Sequence, residues 1–252
     1  MPLLYKYTGF SEHTESVVST PELWFAEPTK LNDPFECRPW FEFKYESYQL
    51  VEQMARHIRR TNPNISPNNA TVRAAGIFLE GRHKDPAMWD SLREDLVTRI
   101  AAEIGILCLS AMGENILMWA HYAKCHTGIC LGFEWSEYTP YFGRAQEVTY
   151  ETDHPTVDVY NTLRHKQVDQ IFLTKFCDWR YEQEWRIIDH DAGSGSRPYP
   201  KELLKTITFG LNTTPQNRER VREWAARRGH KVTFQECVMN ERQFKLHAAQ
   251  VR

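Results

Sequence analysis

The sequence predicts an α+β fold, a mixed central sheet carrying a helical insertion. Three features support this. Strand-like stretches outnumber helical ones by roughly ten to five or six, the two kinds do not alternate regularly, and the tail reads strand, helix, strand. Residues 1–252 show no internal repeat and no linker-like composition, so they are read as one α+β domain, with 45–103 as a mainly helical insertion.

The elements follow in order. "LLYKYTGF" begins as a short strand and "ELWFAEP" is a second, ended by Pro28. "TKLNDPFECRP" is turn-rich, because Asn and Asp side chains fold back on their own backbone and Pro34 pushes Asp33 out of the helical region. Leu50, Met54 and Ile58 recur at helical spacing over 48–60, and Pro63 and Pro67 break that helix. A helix over about 87–103 places Leu92, Leu96 and Ile100 on one stripe. "IGILCLS" and "TGICLGFEW" are buried strands flanking the helical "ENILMWAHYAK", and "EVTYE" is a further short strand. Residues 156–176 read as mostly helical, 181–187 as a strand, and "DHDAGSGSRPYP" as a flexible loop. In the tail, the strand "LLKTITFG" precedes a helix capped by Thr214 with Pro215 at its first position. The strand "KVTFQECV" then closes a β-α-β unit.

Composition narrows the function. A 41% hydrophobic and 13% aromatic content supports a packed core, and 31 basic against 33 acidic residues leave no global basic field for nucleic acid. The N-terminus "MPLLYKYTGF" lacks the features of a signal peptide, and no apolar run is long enough to span a bilayer. Six dispersed cysteines in this setting read as reduced, buried thiols, so a cytoplasmic protein with no membrane partner is expected.

The chemistry-bearing stretch is "DWRYEQEWRII". On a regular strand Tyr181, Gln183, Trp185 and Ile187 share one face and Glu182, Glu184 and Arg186 the other. That second face is either a wet sheet surface, with Arg186 offsetting two carboxylates, or a Glu-x-Glu pair lining a cleft. Two close carboxylates take separate roles in chemistry on sugar-like substrates. "KLNDPFEC" is either a good turn or a rigid platform on which Asn32, Asp33, Phe35 and Glu36 hold a nucleotide or its ribose hydroxyls. His121, Cys125 and His126 have the residue types of a thiol or zinc site. Cys125-x4-Cys130, with the second Cys in an apolar strand, is a poor zinc spacing, so no metal site is expected there, and the segment reads as core packing around Trp119, Tyr122 and Cys130. The arginine-rich "RERVREWAARRGHK" reads as a solvated helix face or a local phosphate or RNA contact.

Four pieces, "LLYKYTG", "LWFAEPTKLNDPFEC", "GILCLSAMGENILMWAHYAKCHTGICLGFEW" and "KFCDWRYEQEWRII" followed by "KTITFG", resemble in their order the bacterial domain-of-unknown-function family 2971. The late segment is also similar to the DNA-modifying toxin branch of the ADP-ribosyltransferase superfamily. That resemblance implies an ADP-ribosyltransferase-like fold, Glu184 as the catalytic carboxylate, Glu182 as its companion and NAD as substrate. The first strand departs from the pattern by offering Lys6 where Arg or His is expected, and Lys lacks the planar fork of Arg. An aromatic for nicotinamide would come from Tyr7, Trp24 or Phe35, and a cation for pyrophosphate from Lys6, Lys175 or Arg186, with His121 and Tyr122 nearby.

Three readings follow. The first is an NAD-using transferase or glycohydrolase acting on a nucleic-acid or protein acceptor, in the manner of a bacterial toxin or anti-phage defence enzyme. The second is a nucleotide- or protein-binding module without turnover. The third is a nucleic-acid-processing enzyme in which Asp33, Glu36, Glu182 and Glu184 hold Mg²⁺.

Overall fold

The computed structural model describes residues 2–42, 46–139, 141–158 and 164–251. The chain begins with β1 (Leu3–Thr8), α1 (Glu12–Ser19), β2 (Glu22–Phe25) and β3 (Trp40–Glu42). Three helices follow, α2 (Ser47–Thr61), α3 (Pro67–Leu79) and α4 (Pro86–Glu103). Then come β4 (Gly105–Ser110), α5 (Ile116–Tyr122), β5 (Ile129–Glu134), β6 (Gln146–Glu147), β7 (Thr149–Glu151) and β8 (Thr156–Asp158). The remainder is α6 (Arg164–Phe172), β9 (Thr174–Phe176), β10 (Glu184–Asp189), β11 (Gly195–Pro198), β12 (Leu204–Phe209), α7 (Pro215–Arg227), β13 (Thr233–Met239) and β14 (Leu246–Gln250).

The fold is α+β. Eight strands form one mixed sheet in the order β14-β13-β12-β5-β1-β4-β10-β6. Every pairing in it is antiparallel except β12 with β13, which α7 links as a β-α-β unit. Thr214 caps α7 by accepting from the Asn217 amide at 3.3 Å, and Pro215 begins the helix, where its missing N–H costs nothing.

Both faces of the sheet are covered. Ile187, Leu107, Leu109, Leu131 and Ile207 pack on one side with Val17 and Val18 of α1 and Val221 and Trp224 of α7. A second core gathers Ile106, Ile188, Leu96, Ile104 and Phe172. The helices α2 and α3 enclose a cluster of their own, in which Leu50, Met54 and Ile58 meet Ala70 and Ala74. On the predicted stripe of α4, Leu96 is buried, while the side chains of Leu92 and Ile100 lie outside the described residues.

Several expectations are corrected. Residues 156–176 hold two strands, β8 and β9, around α6, and residues 159–163 of that stretch lie outside the described residues. The Gly/Ser-rich loop contains β11, which pairs antiparallel with β2 from Gly195↔Phe25 to Pro198↔Glu22. Loop composition gave no warning, because partner strand and register are tertiary facts. Residues 177–182 form 3₁₀ turns rather than a strand, and β10 starts only at Glu184.

The arginine-rich helix spends its charges locally. Arg218 pairs with Glu236 at 2.7 Å, Arg227 with Glu15 at 2.7 Å, and Arg222 lies over the rings of Phe209 and Phe234. Arg228 is buried and joins three segments. Its Nη1 donates to the Val17 and Val18 carbonyls at 3.2 and 3.1 Å and to the Tyr199 hydroxyl at 3.0 Å, while Nε donates to the Lys201 carbonyl at 3.2 Å. Its guanidinium therefore satisfies carbonyls at the C-terminal end of α1 that the helix itself leaves open. Replacing Arg228 with Ala is expected to lower stability by about 3 kcal/mol, since several buried acceptors lose a charged donor together. Urea denaturation checks this, and Arg228→Lys should recover only part of the loss because one ammonium cannot span the same acceptors.

Candidate functional site

Three short segments bring carboxylates to one place beside the sheet. In the turn after β2, Asp33 Oδ1 accepts from the Phe35 amide at 2.9 Å, and the tightened chain turns Glu36 inward. Glu182 ends the 3₁₀ turns, and Glu184 opens β10. Between the two, Gln183 sits at φ +42, and Cys37, immediately after Glu36, sits at φ +58. Each of these left-handed conformations costs a non-glycine residue about 1–2 kcal/mol. The stretch is held by Ser110 Oγ donating to the Glu182 carbonyl at 2.6 Å, the Ala111 amide donating to the Gln183 carbonyl at 2.9 Å, and Asn115 Nδ2 donating to the Tyr181 carbonyl at 2.8 Å.

Two cations lie between the carboxylates. Lys175 of β9 donates to Glu182 Oε2 at 2.6 Å and Glu184 Oε2 at 2.9 Å, and stands 3.7 Å from Glu36 Oε1. Arg186 grips Glu184 with both arms, Nε to Oε1 at 2.8 Å and Nη2 to Oε2 at 2.9 Å. It also pairs with Glu36 and donates to the Phe172 carbonyl at 2.6 Å. All five side chains are at least 94% buried, so the wet-face reading of this strand does not hold. The alternation that places Glu184 and Arg186 together on β10 is real, but Glu182 reaches them from another element and Tyr181 does not share the face of Trp185 and Ile187.

The electrostatics follow from burial. Burial alone would lower the Lys175 ammonium, but Glu184 and then Glu182 overcome it and hold the group above its ordinary value. Burial raises the Glu184 carboxyl, with Lys175 opposing. Burial pulls the Arg186 guanidinium down to about 9, opposed by Asp33, which leaves it protonated at neutral pH. Tyr122 donates to Glu182 and accepts from Asn32 Nδ2 at 3.0 Å, and its phenol is raised by burial and by the Glu182 bond, so it remains a donor.

A hollow of about 90 Å³ opens above this cage. The β1–β4 ladder has a single rung, Tyr5↔Ser110, whereas β1–β5 has six. Lys6 bridges the gap by donating to the Cys108 carbonyl at 3.2 Å, and burial lowers its ammonium, with Cys108 and Glu184 opposing. Of the residues singled out in the sequence, Lys6, Tyr7, Asn32, Glu36, Tyr122, Lys175, Glu182 and Glu184 line this hollow. Tyr7 is a fixed wall, since its hydroxyl donates to the Met112 carbonyl at 2.7 Å and its ring meets Trp119 edge-on. Arg186 lies beneath the floor and is completely buried. Asp33 and Phe35 border a second hollow of about 230 Å³ with His154 and Phe176, and Glu36 and Lys175 are common to both.

Besides Arg186, two candidates fall outside both hollows. Trp24 stacks on His13 at 4.5 Å on β2, and His121 is exposed on α5, 6.2 Å from the Tyr181 ring. Sequence reasoning missed Tyr5 and Cys108 in the wall, Tyr150, whose hydroxyl accepts from the Glu184 amide at 2.8 Å, and Trp179, whose ring lies 5.0 Å from the Lys175 ammonium. Tyr5 was within reach of strand spacing from Tyr7. The others carry no local signal. Among the described residues no group of three or more His, Cys, Asp and Glu is arranged to hold a metal ion, and all six cysteines are free.

Fold and site together define an α+β protein with a charged cage beneath a ring-sized hollow. Residues 118–187 match a family model described as protein of unknown function (DUF2971), and that span holds Tyr122, Lys175, Glu182, Glu184 and Arg186. No curated protein and no solved structure matches the chain, and these comparisons lend no support to the likeness to ADP-ribosyltransferases. Among the described residues no helix is long and apolar enough to cross a membrane.

The cage generates a stability test. Lys175→Met leaves three buried carboxylates with one cation and is expected to cost about 3–5 kcal/mol. Because the folded protein raises this lysine above its unfolded value, its contribution is complete below about pH 10.5 and declines as pH climbs beyond that. Denaturant midpoints of wild type and variant should therefore differ most near neutral pH and converge on the alkaline side.

Proposed function

We propose that the first hollow binds the nicotinamide-ribose end of NAD and that the chain cleaves or transfers at that glycosidic bond. The carrying observation is the meeting of Glu182, Glu184, Lys6, Tyr122 and Asn32, from separate segments of the chain, around one ring-sized space. Breaking a bond at the anomeric carbon develops positive charge on the sugar, and a fixed carboxylate that accepts from a ribose hydroxyl stabilises it. The cage supplies carboxylates whose positions are set before the ligand arrives, with Lys175 and Arg186 restraining their orientation. The apolar side chains of Leu31, Leu109 and Met118 supply the dry walls. With about 90 Å³ of space, the ribose ring enters, the nicotinamide lies at the mouth and the rest of the dinucleotide remains outside.

One observation favours a binding module without turnover: both Glu184 oxygens are already held by Arg186, and Lys175 adds a third charged contact. In that reading the same hollow recognises a nucleotide and the cage is architecture alone. The Mg²⁺ reading has less support, since Lys175 and Arg186 already fill the space between the carboxylates.

Incubating the purified chain with NAD, alone and with nucleic-acid or protein acceptors, is expected to release nicotinamide. Glu182→Gln and Glu184→Gln should each lower that rate by about 10²-fold or more. Thermal melts identify any variant whose loss reflects unfolding. If NAD neither shifts the melting temperature nor is consumed, the reading fails; NAD binding that persists in Glu184→Gln without any cleavage in wild type selects the binding module.

A further inference from the structure

Two lysines line the first hollow, and their surroundings are opposite. Lys175 is fixed among Glu36, Glu182 and Glu184. Lys6 enters from β1, and its Nζ donates to a backbone carbonyl, that of Cys108. Among the described residues no carboxylate stands within ion-pair distance of Lys6. When one cavity holds two like groups in such different settings, their roles separate. The ion-paired ammonium is a fixed charge. The lysine set against a peptide carbonyl and apolar walls is the one able to release its proton and present a lone pair.

The groups facing Lys6 agree with this division. Burial lowers its ammonium, while Cys108 and Glu184 pull the other way and do not overcome it. Tyr5 and Tyr7 are both raised by burial, so they add no counter-charge near neutral pH.

We propose that Lys6 is a nucleophilic amine that condenses reversibly with a short hydroxyaldehyde held in the first hollow. The space of about 90 Å³ takes roughly half a dozen water-sized groups, which fits the reactive end of an open-chain sugar or a smaller hydroxyaldehyde. Glu182, Tyr122 and Asn32 offer acceptors and donors for its hydroxyls. The Nζ lone pair adds to the carbonyl carbon, giving a carbinolamine. Its hydroxyl and the nitrogen-bound proton then leave as water, and a carbon–nitrogen double bond remains. No electrons are gained or lost overall. This inference requires no nicotinamide chemistry and stands apart from the NAD reading.

The test uses the unaltered chain. Protein is incubated with glycolaldehyde and sodium cyanoborohydride near neutral pH, and tryptic peptides are followed by mass spectrometry over time. Cyanoborohydride delivers hydride to the imine and locks it as a secondary amine. Lys6 is expected to acquire the adduct about tenfold or more faster than the exposed Lys84 and Lys231. Lys175 is expected to remain unlabelled, and the Lys6 rate should reach half its maximum at lower pH than the surface rates. Labelling of Lys6 no faster than Lys84 and Lys231, or labelling of Lys175 at the same rate as Lys6, overturns the proposal. Selective labelling in a chain that leaves NAD intact supports the imine chemistry and counts against the nicotinamide reading alone.

Discussion

The structure turns on a buried ion cluster: Glu36, Glu182 and Glu184 around Lys175 and Arg186. Removing five charges from water is costly, and their mutual attraction repays that cost only when geometry and hydrogen bonding are nearly complete. That condition is met by assembly. Arg186 and Glu184 pair within β10, but the turn after β2, β9 and the 3₁₀ turns before β10 must also be in place before all five charges are compensated. The cluster therefore acts as a check on correct tertiary structure as well as a floor for the hollow above it. A chain with one of these segments displaced leaves an unpaired buried charge.

Local conformation and this cluster are linked. Two of its carboxylates are followed directly by residues in the left-handed region, Cys37 after Glu36 and Gln183 after Glu182. An unstrained strand through 181–187 would also place Glu182 and Glu184 on one face, but side by side along one element. The sharp turn at Gln183 instead lets Glu182 reach Lys175 from the 3₁₀ side while Glu184 keeps its place in the ladder opposite Ser110. Strain of this kind persists where surrounding contacts over-determine it, and here the Ser110, Ala111 and Asn115 contacts do so.

The one-rung β1–β4 ladder leaves the cluster open to the hollow. Were those strands fully paired, Lys6 would have no gap to bridge and the carboxylates would lie under a closed sheet. The matched family span, 118–187, contains four of the five cluster residues but not Glu36 or Lys6. The hollow is thus completed by the N-terminal part of the chain, and both lysines that face it come from strands distant in sequence.

The sequence by itself determined the α+β class, the capped helix α7 and its β-α-β unit, the helices over about 48–60 and 87–103, and the concentration of charge at 182–186. Each of these rests on short-range rules: apolar periodicity, capping side chains, and alternation along a strand. Its motifs made candidates of Asn32 and Glu36, with competing plain readings, and the resemblance to ADP-ribosyltransferases added Lys6, Tyr122 and Lys175. Only the tertiary structure decided that these residues share one hollow, that Arg186 lies beneath it, and that Trp24 and His121 stand elsewhere. The same holds for β11, hidden in a loop-like sequence, and for Tyr150 and Trp179, whose roles depend on what lies across from them. The physical reason is that a charge pattern fixes which side chains need partners, whereas strand order and register fix which partners arrive. Whether a face carrying Glu184 and Arg186 is wet or buried is settled by that second step.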